Sequence, residues 1–203
     1  YTTKGTKCTL YFEESKGTPI IDVLEDTYTN NPNMLAYDDY DNLRYIGMDP
    51  NNYVLFNDEL WRIIGIFSED THGLSGKKLI KLIKNELLEN RSWDSSNWAM
   101  SSLQTTLNGD YLNGTGSYTS TGIKSDKARN MIETVTWKLG GTAGYTTSNN
   151  GLATHFYGYE RGTNVYNENP ITWNGKVALM YRSDYGYATS GGSTTSREAC
   201  LAK

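Results

Sequence analysis

The residue types that most often perform catalysis are few in this chain. The two histidines, His72 and His155, stand in polar or glycine-flanked segments without the HxxxH or HxxE spacing of metal and catalytic sites. The two cysteines, Cys8 and Cys200, lack the C-x-x-C spacing of zinc sites. Glycine-rich phosphate loops and the GxSxG turn of hydrolases are also missing from the sequence. We therefore expect no enzyme activity, no metal and no cofactor.

The cysteines nevertheless form a disulfide candidate, because they stand near opposite ends of the chain. A bond between Cys8 and Cys200 would close almost the whole chain and would stabilise it by on the order of 5 kcal/mol. Two separate thiols, or pairing with other chains, fit the sequence equally well, since two cysteines do not define a disulfide framework.

One acidic segment has the ligand type of a calcium site. Residues 38–42 read DDYDN and offer hard oxygen ligands. The segment lacks the DxDxDG order and the distal glutamate of calcium loops, so a solvated loop is the favoured interpretation.

Aromatic residues are the more informative group. Trp61 and Trp137 lie in apolar strand patterns, which predicts that they belong to the core. The rings in or beside polar, glycine-rich stretches are Trp93, Trp98, Tyr145, Tyr157, Tyr159, Tyr166, Trp173, Tyr185 and Tyr187. Flat rings beside hydrogen-bonding side chains bind sugars and protein partners, although such rings also simply cover a β-rich core. The predicted ligand-binding residues are Tyr157, Tyr159, Tyr166, Trp173, Asp184 and Tyr185.

Length, charge and hydropathy limit the classes of protein that fit. The chain has 203 residues, enough for one domain or two small ones. Its 19 basic and 23 acidic residues give a net charge of −4, which argues against nucleic-acid binding. An apolar run of about 20 residues, the length that spans a bilayer, is missing, so we expect no membrane insertion within this chain and any secretion signal or anchor outside it.

The pattern of elements predicts a single α+β domain over residues 1–203, with an N-terminal strand region at 1–17. We expect a mixed, mostly antiparallel sheet, two or three short helices, and long loops rich in Gly, Thr and Tyr, chiefly at 140–175. Predicted strands cover residues 7–13, 43–46, 53–56, 60–67, 77–84, 134–137 and 175–181. Predicted helices begin at Thr18 with Pro19 in the first turn, at a serine before Met100, ending at Asn108-Gly109, and near Ser125 with Ala128, Met131 and Ile132 on one face.

Several segments carry a resemblance to a known family. The matching segments are residues 52–65, 92–94, 98–113 and 176–188. They resemble a domain of unknown function from surface-exposed and pilin-like proteins of gut Firmicutes and Mollicutes-related bacteria, over most of residues 18–200. The SLxxxLN pattern at residues 102–108 is also distantly similar to the formylglycine-generating-enzyme type of C-type lectin fold.

The resemblance implies an extracellular place on the bacterial cell surface. It favours a binding or adhesion domain whose partner is a glycan or a host protein. The family pattern also continues beyond the second cysteine with a closing strand, which this chain does not have. This difference implies an alternative, in which the domain is a structural subunit of a surface filament or layer and is completed by another copy of the chain.

Overall fold

The computed structural model describes residues 17–92, 94–95, 97–140 and 152–201. The strands are β1 (Leu35–Tyr37), β2 (Leu43–Tyr45), β3 (Tyr53–Phe56), β4 (Glu59–Phe67), β5 (Leu79–Lys84), β6 (Val135–Lys138) and β7 (Thr172–Gly175). The α-helices are α1 (Ile20–Asn30), α2 (Glu69–His72), α3 (Ser102–Thr106), α4 (Asp126–Met131), α5 (Ala153–Glu160), α6 (Arg182–Tyr187) and α7 (Arg197–Leu201). All strand pairs found in these residues are antiparallel, so the predicted α+β class is confirmed.

The larger sheet contains β1 to β5 and is built around β4. Strands β2 and β3 follow one another along one edge of β4, and β5 pairs with the other edge. The predicted hairpin between β3 and β4 is confirmed, with a two-residue turn at Asn57 and Asp58. Both turn residues have a positive φ, at 57° and 59°, a conformation that Asn and Asp tolerate. The predicted strand at 77–84 is confirmed as β5.

Helix α1 covers this sheet and completes the first core. The helix begins at Ile20, with Pro19 at the N-cap position that the sequence suggests for Thr18. Leu24 is its buried contact, whereas Ile20 and Val23 are exposed. The buried residues of this core are Leu24, Leu35, Leu43, Tyr45, Ile63 and Ile66.

A second core forms in the helical region that follows β5. Helix α3 begins after Ser101, whose hydroxyl accepts a hydrogen bond from the Gln104 amide at 3.1 Å. It does not end at Asn108-Gly109 as predicted, but continues as a π-helical turn over Leu107–Tyr111. Burial of Leu107 and Tyr111 explains the difference, since tertiary packing outweighs a local stop signal. Met100, predicted on the apolar face, is 78% exposed.

Helix α4 and strand β6 lie close to their predicted positions. Ser125 is the N-cap of α4 as predicted, because its hydroxyl accepts from the Ala128 amide at 3.1 Å. Ala128 is buried, but Met131 is exposed rather than on the same buried face. The strand predicted at 134–137 is confirmed as β6.

The predicted strand at 175–181 is wrong. The strand in this region, β7, ends at Gly175, and helix α6 begins at Arg182. Between them the Asn108 side chain replaces a strand partner: it accepts from the amides of Lys176 and Val177 and donates to the Val177 carbonyl, at 2.8 to 3.1 Å. A single side chain thus satisfies backbone groups that would otherwise need a neighbouring strand.

Further helices were not predicted, and some predictions lie outside the described residues. Helices α2, α5, α6 and α7 have no clear apolar periodicity, and the structure has more helices than expected. The strand at 7–13, Cys8, Trp93, Tyr145 and the loop at 141–151 lie outside the described residues. Among the helices that are described, none is long and apolar enough to cross a membrane.

Candidate functional site

The described part of the chain contains a groove of about 540 Å3 between β6, α5 and the segment before α6. This volume lies within the usual range of small-ligand sites. Six aromatic side chains line the groove: Trp98, Trp137, Phe156, Tyr159, Tyr166 and Tyr181. Asn97, Lys138, Glu160, Asn169 and Arg182 supply most of its polar and charged groups.

The structure brings only two of the six predicted ligand-binding residues to this groove, Tyr159 and Tyr166. Tyr185 is 78% exposed on α6 but does not line the groove. Trp173 is half-buried and packs edge-to-face against Trp98, with ring centres 5.9 Å apart, as part of the second core. The exposure of a ring therefore does not by itself place it in the groove.

The ligand-binding roles predicted for Tyr157 and Asp184 are wrong in this structure, because both side chains are buried. Tyr157 is 2% exposed, stacks on Tyr40 with ring centres 4.0 Å apart, and lies 3.2 Å below the Arg161 guanidinium. Its hydroxyl faces Asn42 and Thr71 at 3.5 and 3.4 Å. A ligand in the groove cannot reach this ring.

Asp184 belongs to a buried ionic cluster that joins the larger sheet to α6. Its Oδ1 accepts from the Arg44 guanidinium at 2.8 Å, and its Oδ2 contacts the Lys81 ammonium. Arg44 also pairs with Asp38 at 2.5 Å. The Tyr181 amide donates to Oδ2 of Asp184 at 3.3 Å, so the same carboxylate caps the start of α6.

The electrostatics of the cluster keep Asp184 ionised. Burial alone would raise the pKa of Asp184, but Lys81 and Arg44 outweigh it and hold that pKa below its ordinary value. Burial lowers the pKa of Lys81, and the contact with Asp184 offsets this effect only in part. The carboxylate therefore has a structural role in a position where sequence reasoning placed a ligand contact.

The acidic segment at 38–42 divides between surface and interior. Asp39, Tyr40 and Asp41 are exposed as predicted for a solvated loop, whereas Asp38 and Asn42 are buried. The Asn42 side-chain amide donates to the Asp38 carboxylate at 3.0 Å, which leaves that carboxylate committed to Asn42 and Arg44. Within the described ranges, no group of three or more metal-ligating side chains is found.

Tyr181 and Glu160 are the most firmly held groups that line the groove. The Tyr181 hydroxyl accepts from the Lys138 amide and donates to the Lys138 carbonyl, both at 2.8 Å, and so occupies the free edge of β6. Burial raises the pKa of Tyr181 well above its ordinary value. Glu160 accepts from the Ser183 amide at 3.0 Å and from the Ser183 hydroxyl at 2.5 Å.

The charge state of Glu160 depends on burial. Burial raises the pKa of Glu160, while hydrogen bonds from Ser183 oppose that shift. The Arg161 guanidinium also lies 3.4 Å from its carboxylate. Glu160 is thus already bound by protein donors and has little capacity to accept further hydrogen bonds from a ligand.

An amide pair forms another part of the lining. Asn97 donates from its side-chain nitrogen to Oδ1 of Asn169 at 3.1 Å, and its own Oδ1 accepts from the Ala99 amide at 2.9 Å. These bonds orient both side chains at the edge of the groove. Amides held in this way can donate to and accept from hydroxyl groups without a large loss of side-chain entropy on binding.

Sequence reasoning missed most of the groove. Phe156 and Tyr181 were not singled out, and Trp137 was predicted to be a core residue but is half-buried and lines the groove. Trp61, also predicted for the core, is half-buried against the second core, as expected. The SLxxxLN helix and the aromatic content gave no signal for the convergence of these rings, because they come from separated segments.

The disulfide candidate stays a prediction. Cys200 is half-buried in α7, and Cys8 lies outside the described residues. No family model, curated protein or solved structure matches this chain. The resemblance to the surface-protein domain therefore also stays a prediction, and the groove is the feature from which a function can be inferred.

Proposed function

We propose that this domain binds a glycan in the aromatic groove. The observation that carries the proposal is the convergence of six rings and an oriented amide pair, from separated segments, on one groove of ligand size. Sugars present both apolar C–H faces and hydroxyl groups, so they match flat rings that stand beside fixed hydrogen-bonding groups. In this proposal the domain is displayed on the bacterial cell surface, as the resemblance implies.

The carboxyl content of the groove favours binding over hydrolysis of a sugar. Glycoside hydrolases use a pair of carboxyl groups on either side of the scissile bond. Among the described residues that line this groove, Glu160 is the single carboxyl, and Ser183 and Arg161 already engage it. This arrangement supports a binding domain rather than an enzyme.

Substitution of a groove tyrosine tests the proposal. Tyr166→Ala removes a ring that is 48% exposed, so we expect loss of retention on an array of neutral and acidic oligosaccharides with little change in melting temperature. Tyr159→Ala is the second variant. Tyr185→Ala is the matched control, because this ring is more exposed and lies outside the groove.

The outcomes separate clearly. Retention by the wild type and by Tyr185→Ala, with loss in both groove variants, supports the proposal. Failure of the wild type to bind any oligosaccharide, or equal binding by Tyr166→Ala and Tyr159→Ala, overturns it.

A second candidate function is a structural subunit that associates through β3. In the described part of the chain β3 pairs only with β4, and its residues Tyr53 and Leu55 are 43% and 65% exposed. An unpaired strand edge beside an exposed apolar face is a typical site for strand addition by another chain. The partner in this candidate is a second copy of the chain.

A further inference from the structure

The groove carries positive charge, although the chain as a whole is acidic. The charged residues that line it are Lys138, Glu160 and Arg182, two cations and one carboxyl. Because protein donors already engage the carboxyl, the groove presents an excess of positive charge to a ligand. The chain carries a net charge of −4, so this local sign is opposite to the overall one.

Lys138 is the cation best placed to act on a ligand. Its backbone is fixed by the Tyr181 hydroxyl, through hydrogen bonds of 2.8 Å to both its amide and its carbonyl. Its ammonium forms no ion pair within the described residues. The neighbouring segment 141–151 contains no acidic residue in its sequence, so it supplies no carboxylate to this lysine.

Arg182 adds a second positive group on the other side of the groove lining. It is exposed at the first position of α6, and its guanidinium lies 5.3 Å from the centre of the Phe156 ring. A guanidinium supported on an aromatic face keeps its planar donors oriented. The two cations therefore border an aromatic surface from β6 and from α6.

We infer that the groove selects sugars that carry a carboxylate, such as sialic or uronic acids, with the acid group beside Lys138 and Arg182 and the ring on Tyr159 and Tyr166. The inference rests on the proposed function and adds the ligand class. A half-buried ammonium forms a charge-assisted hydrogen bond with a carboxylate, which is stronger than a hydrogen bond to a neutral hydroxyl. A neutral sugar leaves both cations without an anionic partner.

The experiment compares matched ligands that differ in the acid group. The probes are sialyllactose against lactose, and oligogalacturonate against its methyl ester, each titrated by calorimetry at low and high salt. We expect binding of at least one acid form to be about tenfold tighter than binding of its neutral partner, since a hydrogen bond to a charged group contributes roughly 1.5 to 3 kcal/mol. High salt should reduce this preference.

Variants of Lys138 test the source of the preference. Lys138→Gln should reduce affinity for the acid form about tenfold and leave the neutral form nearly unchanged, while Lys138→Arg should retain most of the preference. Lys127→Gln is the matched control, because it removes the same charge from an exposed position on α4 outside the groove. Equal melting temperatures would show that the variants fold.

The outcomes distinguish this inference from the proposed function. Equal binding of acid and neutral forms overturns the charge selectivity and leaves glycan binding in place. Binding of no saccharide overturns both. Tighter binding of a polyglutamate peptide than of any acidic saccharide would also overturn the inference, in favour of an acidic protein partner.

Discussion

Replacement of Asp184 by Asn should destabilise the protein without acting on ligand binding directly. The substitution preserves side-chain volume and one acceptor oxygen, so it creates no cavity. It removes the negative charge that faces Arg44 at 2.8 Å and also contacts Lys81. The Asp184 and Arg44 side chains are 1% and 2% exposed, so water cannot replace the lost partner.

The structure sets the size of the effect. Loss of one member of a buried ion pair typically costs about 3 to 5 kcal/mol. Arg44 keeps Asp38 as a partner, and Lys81 can release its proton because burial already lowers its pKa. We therefore expect the low end, about 3 kcal/mol, which corresponds to a fall in melting temperature of about 6 to 12 °C for a domain of this size.

The assay is thermal unfolding of the wild type and two variants, followed by circular dichroism. Asp126→Asn is the control, because Asp126 pairs with Arg129 at a position where its side chain is 90% exposed, and such pairs contribute little. Loss of saccharide retention in Asp184→Asn at an unchanged melting temperature would refute this reasoning. That result would restore a ligand contact at Asp184.

The same carboxylate predicts a dependence on pH. A pKa that is lower in the folded state than in the unfolded state provides stability above the unfolded value, about 3.9 for Asp. This stability is lost as pH falls through the folded value. Unfolding curves below about pH 4 should therefore be steeper in pH for the wild type than for Asp184→Asn.

Two remaining predictions concern Glu160 and the edge of β3. Burial raises the pKa of Glu160, so its stabilising effect is complete below about pH 4.3 and is lost as pH rises through the folded value; Glu160→Gln should flatten the fall in melting temperature between acid and neutral pH, and an unchanged slope would contradict this assignment. If copies of the chain associate through β3, Leu55→Lys should reduce the mass measured by light scattering at high concentration. Leu87→Lys, at a residue that is 90% exposed outside any strand, should not. A monomeric wild type at all concentrations would exclude the β3 association.

Local signals in the sequence were sufficient for the elements that close on themselves. The Asn57-Asp58 turn and the flanking apolar strands predict the β3–β4 hairpin, because turn type and strand register are both set within a few residues. The Ser125 cap of α4 is likewise a contact over three residues. Composition and alternation were sufficient for the α+β class.

The groove and the ionic cluster depended on tertiary structure. Asp184 and Arg44 are 140 residues apart, and nothing local to either residue indicates that they meet. The strand predicted at 175–181 fails for the same reason, since Asn108, almost 70 residues earlier, supplies the hydrogen bonds that a partner strand would give. Burial of Tyr157 and Asp184, and the arrival of Tyr159, Tyr166 and Lys138 at one groove, are decided by contacts between distant segments. The sequence by itself determined which residue types were available for binding, and only the packing of those segments decided which of them a ligand can reach.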